Sequence, residues 1–308
     1  MALRHWLLST LFLASAGFSA LAAGSDVAGT VDIGGGRKMY LECRGTGSPT
    51  VFIVPGGRAA ADEWTKDSPV FADVAAFTRV CAYDRPGVLL ADGRPGRSDQ
   101  QPMPTTAATS VADLHELVGA AKINTPFVIV GHSYGGLVVR LYAMTYPDDV
   151  DGMVLVDALS EFLRGAETPE EWVWQKKILD GDLTEALKVY PHIERADADA
   201  SFDQLLAAAP LQPMPLVVLS ADRPWGPRVP GFIAEGLLAP DTPPNVGYVT
   251  DRAQKVAQAK LAALVPGSSH PMKTDSGHVI HHDNPQLVTG SIRAVVDAVR
   301  AGRTTLEP

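Results

Sequence analysis

The chain of 308 residues carries 35 acidic and 26 basic side chains, a formal charge of −9, and is 46% hydrophobic. This length fits one large domain with a full core, or a domain with an insertion. The acidic balance argues against nucleic acid or an anionic membrane as partner, since neither phosphate array would attract it.

In chain order, residues 1–22 come first, with a single charge at Arg4, an apolar run from Trp6 to Phe18, and small residues Ala20 and Ala22. This is the pattern of a secretory signal peptide cleaved after Ala22. The run is broken by Ser9, Thr10 and Ser15 and is shorter than the about 20 residues of a membrane span. The expectation is an exported protein, periplasmic or secreted, with no membrane anchor after cleavage.

Val27 to Ile33 and Arg37 to Cys43, joined across Gly34-Gly35-Gly36, read as an opening hairpin. Thr50 to Val54 and Arg79 to Tyr83 read as short buried strands with a helix around Pro69 to Phe77 between them, and Leu114, Leu117, Val118 and Ala121 mark a further helix. Phe127 to Gly136 (FVIVGHSYGG) is a buried strand running into G-x-S-x-G. Leu137, Val138, Leu141 and Tyr142 then recur with helical spacing up to the stop at Pro147. Strands follow at Val150 to Val156 and Leu216 to Leu219, with a weak one near His270 to Lys273, and the last helix carries Ile292, Val295, Val296 and Val299. This alternation predicts an α/β fold with a mostly parallel sheet covered on both faces. Two stretches depart from it. Leu159 to Pro213 has only helical pieces (Pro169 to Lys188, Asp203 to Ala209) and reads as a helical cap on a core of residues 23–158 and 214–308, or as a surface insertion. Arg223 to Tyr248 is rich in Pro and Gly and reads as an irregular loop.

The chemistry centres on Ser133. In G-x-S-x-G the serine sits on a strained strand-to-helix turn that lifts its hydroxyl clear of the sheet, and the flanking glycines avoid backbone collisions. A serine hydroxyl needs a base, and a carboxylate to orient that base. Of the eight histidines, His278 lies in a polar turn before the last helix, where a loop residue can reach over the strand ends. Asp157 and Asp222 each follow a strand, and either satisfies the order Ser, Asp, His. The Tyr134 N–H is one expected oxyanion donor, and the second is assigned to Pro55-Gly56-Gly57-Arg58, at Gly57 or next at Arg58. His281, His282 and Asp283 lie close to His278 in sequence. Adjacent histidines diverge, however, so no metal site is read there. No cofactor is expected.

RVCAYDRPG, GHSYGGLVVRLYAMTYPDDVDGMVLVDA and SGHVIHHDNPQLV resemble serine hydrolases of the α/β-hydrolase fold, in the branch of proline iminopeptidase-like and haloperoxidase-like esterases. The resemblance implies Ser133 as nucleophile, His278 as base, Tyr134 and Gly57 at the oxyanion hole, and a cap over the site. It also implies that the second strand pairs with the fourth, bringing Cys43, one of only two cysteines, beside Cys81 for a disulfide. There are departures. Pro55-Gly56 stands where His-Gly is usual, and the turn after YDR is stretched to GVLLADGRPGRSD, which would reshape the pocket rim. The usual acid position after the seventh strand falls on Pro224, leaving Asp222 out of register and favouring Asp157. The reading is an exported hydrolase of a small-molecule carboxylic ester. Amide, lactone or aminopeptidase activity on the same residues is the near alternative, and a non-catalytic ligand-binding or sensing protein is the distant one.

Overall fold

The computed structural model describes residues 26–306, so the signal-peptide segment lies outside the described residues. The strands are β1 (Val27–Asp32), β2 (Lys38–Arg44), β3 (Val51–Val54), β4 (Val80–Tyr83), β5 (Phe127–His132), β6 (Val150–Val156) and β7 (Leu216–Leu219). The helices of the first half are α1 (Asp62–Thr65), α2 (Val70–Ala75), α3 (Ala107–Ala120) and α4 (Gly135–Thr145). They are followed by α5 (Glu161–Arg164), α6 (Pro169–Asp180), α7 (Thr184–Val189), α8 (Ala198–Ala207), α9 (Val229–Ala234), α10 (Val246–Ala262), α11 (Ile280–Asp283) and α12 (Pro285–Arg300).

The seven strands form one sheet in the order β1-β2-β4-β3-β5-β6-β7. β2 pairs antiparallel with β1 and β4, and all other pairs are parallel. Residues of β3 and β5 are buried throughout, as expected where helices cover both faces. Alternate residues serve opposite faces: Phe52 and Ile129 join a core with α3 and α4, whereas Ile53 and Val130 join one with α2 and α12. The chain runs outward from β3 in both directions, so the carboxyl ends of β3, β5, β6 and β7 meet at the crevice where such sheets bind ligands. Cys43 faces Cys81 across the β2–β4 ladder, and the two form a disulfide.

Local signals account for most element ends. Thr106 caps α3, Thr168 and Glu171 form a capping box at α6 with Pro169 in its first turn, and Asn284 accepts from Leu287 N–H at the start of α12. Four helices and, among the described residues, no strand occupy residues 159–213. The single helical piece expected over Pro169 to Lys188 is two, broken at Gly181, whose φ of 65° is left-handed. Trp172 packs on Phe202, with ring centres 5.4 Å apart, and donates its indole N–H to Asp199 at 2.9 Å.

Two expectations are corrected. The strand near His270 to Lys273 does not form. A single parallel bridge, Val217 to Ser269, is all that pairs there, because Pro271 lacks an N–H and no β-branched run follows. Arg223 to Tyr248 is not all loop, since it contains a 3-10 turn (Gly226–Arg228), α9 and the start of α10. The 17-residue α10 has a weak sequence signal, because its buried stripe of Val246, Val249, Ala253, Ala257 and Leu261 uses alanine where stronger apolar residues usually mark a helix.

Candidate active site

Ser133 stands between β5 and α4 with φ 51°, a left-handed conformation that costs energy in a non-glycine residue and is held by its neighbours. Its N–H donates to Val156 O at 3.2 Å, and its carbonyl accepts from Gly136 and Leu159 N–H at 2.8 and 2.9 Å. The flanking glycines are required by close approach. A Cβ on Gly135 would lie 2.3 Å from Val54 O, and one on Gly131 would lie 2.6 Å from Val139 Cγ2.

The end of β6 delivers Asp157, 4% exposed and also left-handed at φ 40°. His278 Nδ1 lies 2.6 Å from Asp157 Oδ2, and Ala221 N–H donates to Asp157 Oδ1 at 3.0 Å. Burial alone would raise the Asp157 pKa, but the His278 imidazole and the Ala221 N–H outweigh it and hold the carboxyl below its ordinary value. Burial likewise works against a charged His278, yet Asp157 prevails and the imidazole pKa is raised. The ring stays in reach of solvent within the cavity, its side chain 55% exposed.

Asp222 does not touch His278. Its two carboxylate oxygens accept from the backbone N–H groups of Thr274, Asp275 and Ser276 at 3.1, 3.1 and 2.8 Å. Against the cost of desolvation, these donors hold its pKa low. Asp222 therefore shapes the loop that presents His278, a task that any aspartate at a strand end can take up.

The loop after β3 carries Gly57. The N–H groups of Gly57 and Tyr134 have no hydrogen-bond partner among the described residues, whereas the Arg58 N–H donates to Glu194 Oε2. The Arg58 N–H is thus already engaged by a carboxylate, whereas that of Gly57 is open. The residue missing from sequence reasoning here is Arg85, of the YDR stretch. Its buried guanidinium donates to Pro55 O at 2.8 Å and to Gly56 O, and pairs with Glu194 through Nε at 2.6 Å and Nη2 at 3.1 Å. Burial opposes this charge, but Glu194 more than compensates and raises the Arg85 pKa. Arg85 also lies over the Tyr134 ring at 5.3 Å. A buried arginine beside a loop without its usual histidine was the available signal, but its partner stands 109 residues away in sequence.

Ser133, Asp157, His278, Gly57 and Tyr134 all line one cavity of about 1540 Å³, whose far wall comes from residues 159–213 and from α9 and α10. Leu163, Leu179, Leu187 and Phe232 supply apolar surface, and Lys176, Arg228 and Lys255 add charge. The stretched turn after YDR does not reach this cavity. Instead Asp84 ties it down by accepting from Arg97 N–H at 3.0 Å and Arg97 Nε at 2.8 Å, while Leu89 bridges Ala59.

Behind Ser133, His132 donates Nε2–H to the carbonyl of His278 at 3.0 Å. Burial, and then the nearby His281 and His278, push its pKa down to about 3. The cluster of His278, His281, His282 and Asp283 does not converge. His281 is buried against Trp64, His282 faces outward, and Asp283 accepts from Gly277 N–H at 2.7 Å. No helix of the described residues is long and apolar enough to cross a membrane.

A model of the Alpha/beta hydrolase family matches residues 51–290. YqjL of Bacillus subtilis is 27% identical over 249 residues, covering 80% of this chain and 82% of that protein. The pimeloyl-[acyl-carrier protein] methyl ester esterase of Chromobacterium violaceum is 30% identical over 178 residues, 55% of this chain and 62% of the esterase. Longer curated relatives also match, and the chain spans 44% and 26% of the length of two of them. Among solved structures, carboxylesterase CesB (YbfK) from Bacillus subtilis superposes with a TM-score of 0.55 at 14% identity, over 88% of this chain and 91% of that one. At that identity the likeness speaks for the fold alone.

Proposed function

The chain belongs to the alpha/beta hydrolase family and is a hydrolase, and from that premise we propose that it is an exported serine hydrolase cleaving a carboxylic ester through an acyl-enzyme. The observation that carries this reading is the 2.6 Å bond between His278 Nδ1 and a buried Asp157, in the cavity that Ser133 lines from its strained turn.

With Nδ1–H directed at Asp157, the lone pair of His278 is on Nε2. Ser133 Oγ attacks the acyl carbon while Nε2 takes its proton, and the carbonyl oxygen becomes an oxyanion facing the N–H groups of Gly57 and Tyr134. Collapse breaks the ester C–O bond, and His278 returns the proton to the leaving alcohol. Water, deprotonated by the same nitrogen, then attacks the acyl carbon; the acyl C–Oγ bond breaks, His278 returns the proton to Ser133 Oγ, and the acid is released. Asp157 stays ionised and holds the imidazole tautomer. Export agrees with the Cys43–Cys81 disulfide, since such bonds persist in oxidising compartments. An ester substrate agrees with the esterase relative and with a large, mainly apolar cavity.

The test is intact-mass measurement after treatment with a fluorophosphonate probe, on wild type and on the Ser133→Ala and His278→Ala variants, followed by a panel of ester, lactone and amide substrates. One adduct on Ser133, lost in both variants, with esters turned over best, is the expected result. No adduct on the folded wild type would sink the reading and favour a ligand-binding role.

A further inference from the structure

Polar atoms that ester hydrolysis does not use are gathered on the buried side of the site. Glu63 on α1, His132 at the end of β5 and His281 on α11 meet there, and their ligand atoms all lie within 4.8 Å of one another. His132 and His281 are 3% and 0% exposed. Glu63 Oε1 lies 3.6 Å from His281 Nε2, and Oε2 lies 3.8 Å from His132 Nδ1. Both distances are too long for a direct hydrogen bond. Glu63 Oε2, His132 Nδ1 and both nitrogens of His281 are buried without a hydrogen-bond partner.

The tautomer of His132 makes this arrangement costly as it stands. Nε2 faces the His278 carbonyl and must carry the hydrogen, so Nδ1 presents a lone pair toward a carboxylate oxygen. Two buried acceptors facing each other repel, and each forgoes the partner it would have in water. A donor or a cation between them removes that cost. The surroundings leave the position open and the rings fixed. A Cβ on Gly56 would lie 2.8 Å from His132 Nδ1, so glycine leaves the approach to that lone pair clear. Trp64 stacks on His281 at 3.9 Å between ring centres, with the planes 11° apart.

We propose that Glu63, His132 and His281 bind a divalent transition-metal ion such as Zn²⁺ in a structural role. Two neutral imidazoles and one carboxylate are ordinary zinc donors, and a water can complete the four-coordinate shell. Two ligands at about 2.1 Å from a tetrahedral ion stand about 3.4 Å apart. The pairs at 3.6 and 3.8 Å, one from each oxygen of Glu63, are close to that spacing, and the widest spacing of 4.8 Å closes by at most about 1.4 Å. The ion ties α1, β5 and α11 together and, through His132, steadies the carbonyl of His278. Its presence does not depend on the ester reading.

The test uses the whole protein, stripped with a chelator and equilibrated with Zn²⁺ or Co²⁺. Metal per chain is measured by mass spectrometry, affinity by calorimetric titration, and ligation by the imidazole ¹⁵N resonances of the unaltered protein. One ion per chain, with the resonances of His132 and His281 shifted, is expected. Glu63→Gln and His281→Gln should lower affinity by more than the about 10- to 100-fold typical of groups outside the ligand sphere. His282→Ala and His278→Ala should retain the ion, the latter because the backbone carbonyl that holds His132 survives. Substoichiometric metal in the unaltered protein, as for a bridging water only, overturns the proposal. So does bound Zn²⁺ that leaves the His132 and His281 resonances unmoved, or metal that persists in folded Glu63→Gln and His281→Gln.

Discussion

Replacing Glu194 by glutamine tests how the oxyanion loop is held. Glu194 is 3% exposed, and its two oxygens accept from Arg85 Nε, Arg85 Nη2 and the Arg58 N–H. Glutamine keeps the size, but one of its termini becomes an NH₂ that faces donors, and the buried guanidinium is left with the carbonyls of Pro55 and Gly56. Removing one partner of a buried ion pair costs about 3–5 kcal/mol. At about 2–4 °C per kcal/mol for a domain near this size, the melting temperature falls by about 6–20 °C. Complete loss of an oxyanion donor lowers kcat by about 10²–10³. A Gly57 N–H set loose one residue beyond a braced carbonyl should lose less than that. The assays are thermal and urea unfolding, and steady-state kinetics on the best ester found. The double variant Arg85→Met with Glu194→Leu removes the unpaired charge and should recover part of the stability, but not all of it and not the activity, because Pro55 O, Gly56 O and the Arg58 N–H lose their partners. An unchanged melting temperature in Glu194→Gln would refute the argument that this pair braces the site.

Asp157→Asn should lower kcat by about 10⁴, the scale for a wrong imidazole tautomer, while Asp222→Asn should cost less than about 10², the scale of a roughly 1 Å misplacement; kinetics on both variants decide between the two aspartates. Because Asp157 raises the His278 pKa, kcat/KM should rise with pH through a value above the about 6.5 of free imidazole. The stability from that same pair has the opposite sense: it is fully present below about 6.5 and is lost as pH rises through the raised folded-state value. Urea midpoints of wild type and His278→Ala across this range should therefore converge as pH increases. The lowered pKa of Asp157 contributes stability above about 3.9 that disappears on further acidification. Replacing Cys43 and Cys81 by serine opens a cross-link spanning 38 residues, and by the loop-entropy relation should cost about 4 kcal/mol; denaturant titration with and without reductant measures it.

The features of this protein that are legible in its amino-acid order are the local ones. The runs at β3, β5 and β6 are apolar because both faces of the sheet are covered, and the elbow is legible because its pattern is compact: Gly131 answers to Val139 and Gly135 within a few residues of chain, although Gly135 answers to the distant Val54 and Pro55. Helices with strong apolar stripes and side-chain caps, such as α3 and α12, were equally plain. The alanine-lined α10 was not, since its face is recognisable only against the small space it fills. Which aspartate meets His278 was open, because Asp157 and Asp222 sit at the ends of adjacent strands; the path of residues 274–278 decided it by engaging Asp222 with backbone N–H groups. The pairing of Arg85 with Glu194, and the meeting of Glu63, His132 and His281, join residues 69 to 218 positions apart. Buried polar groups choose their partners by where tertiary packing strands them away from water, and no local periodicity records that choice.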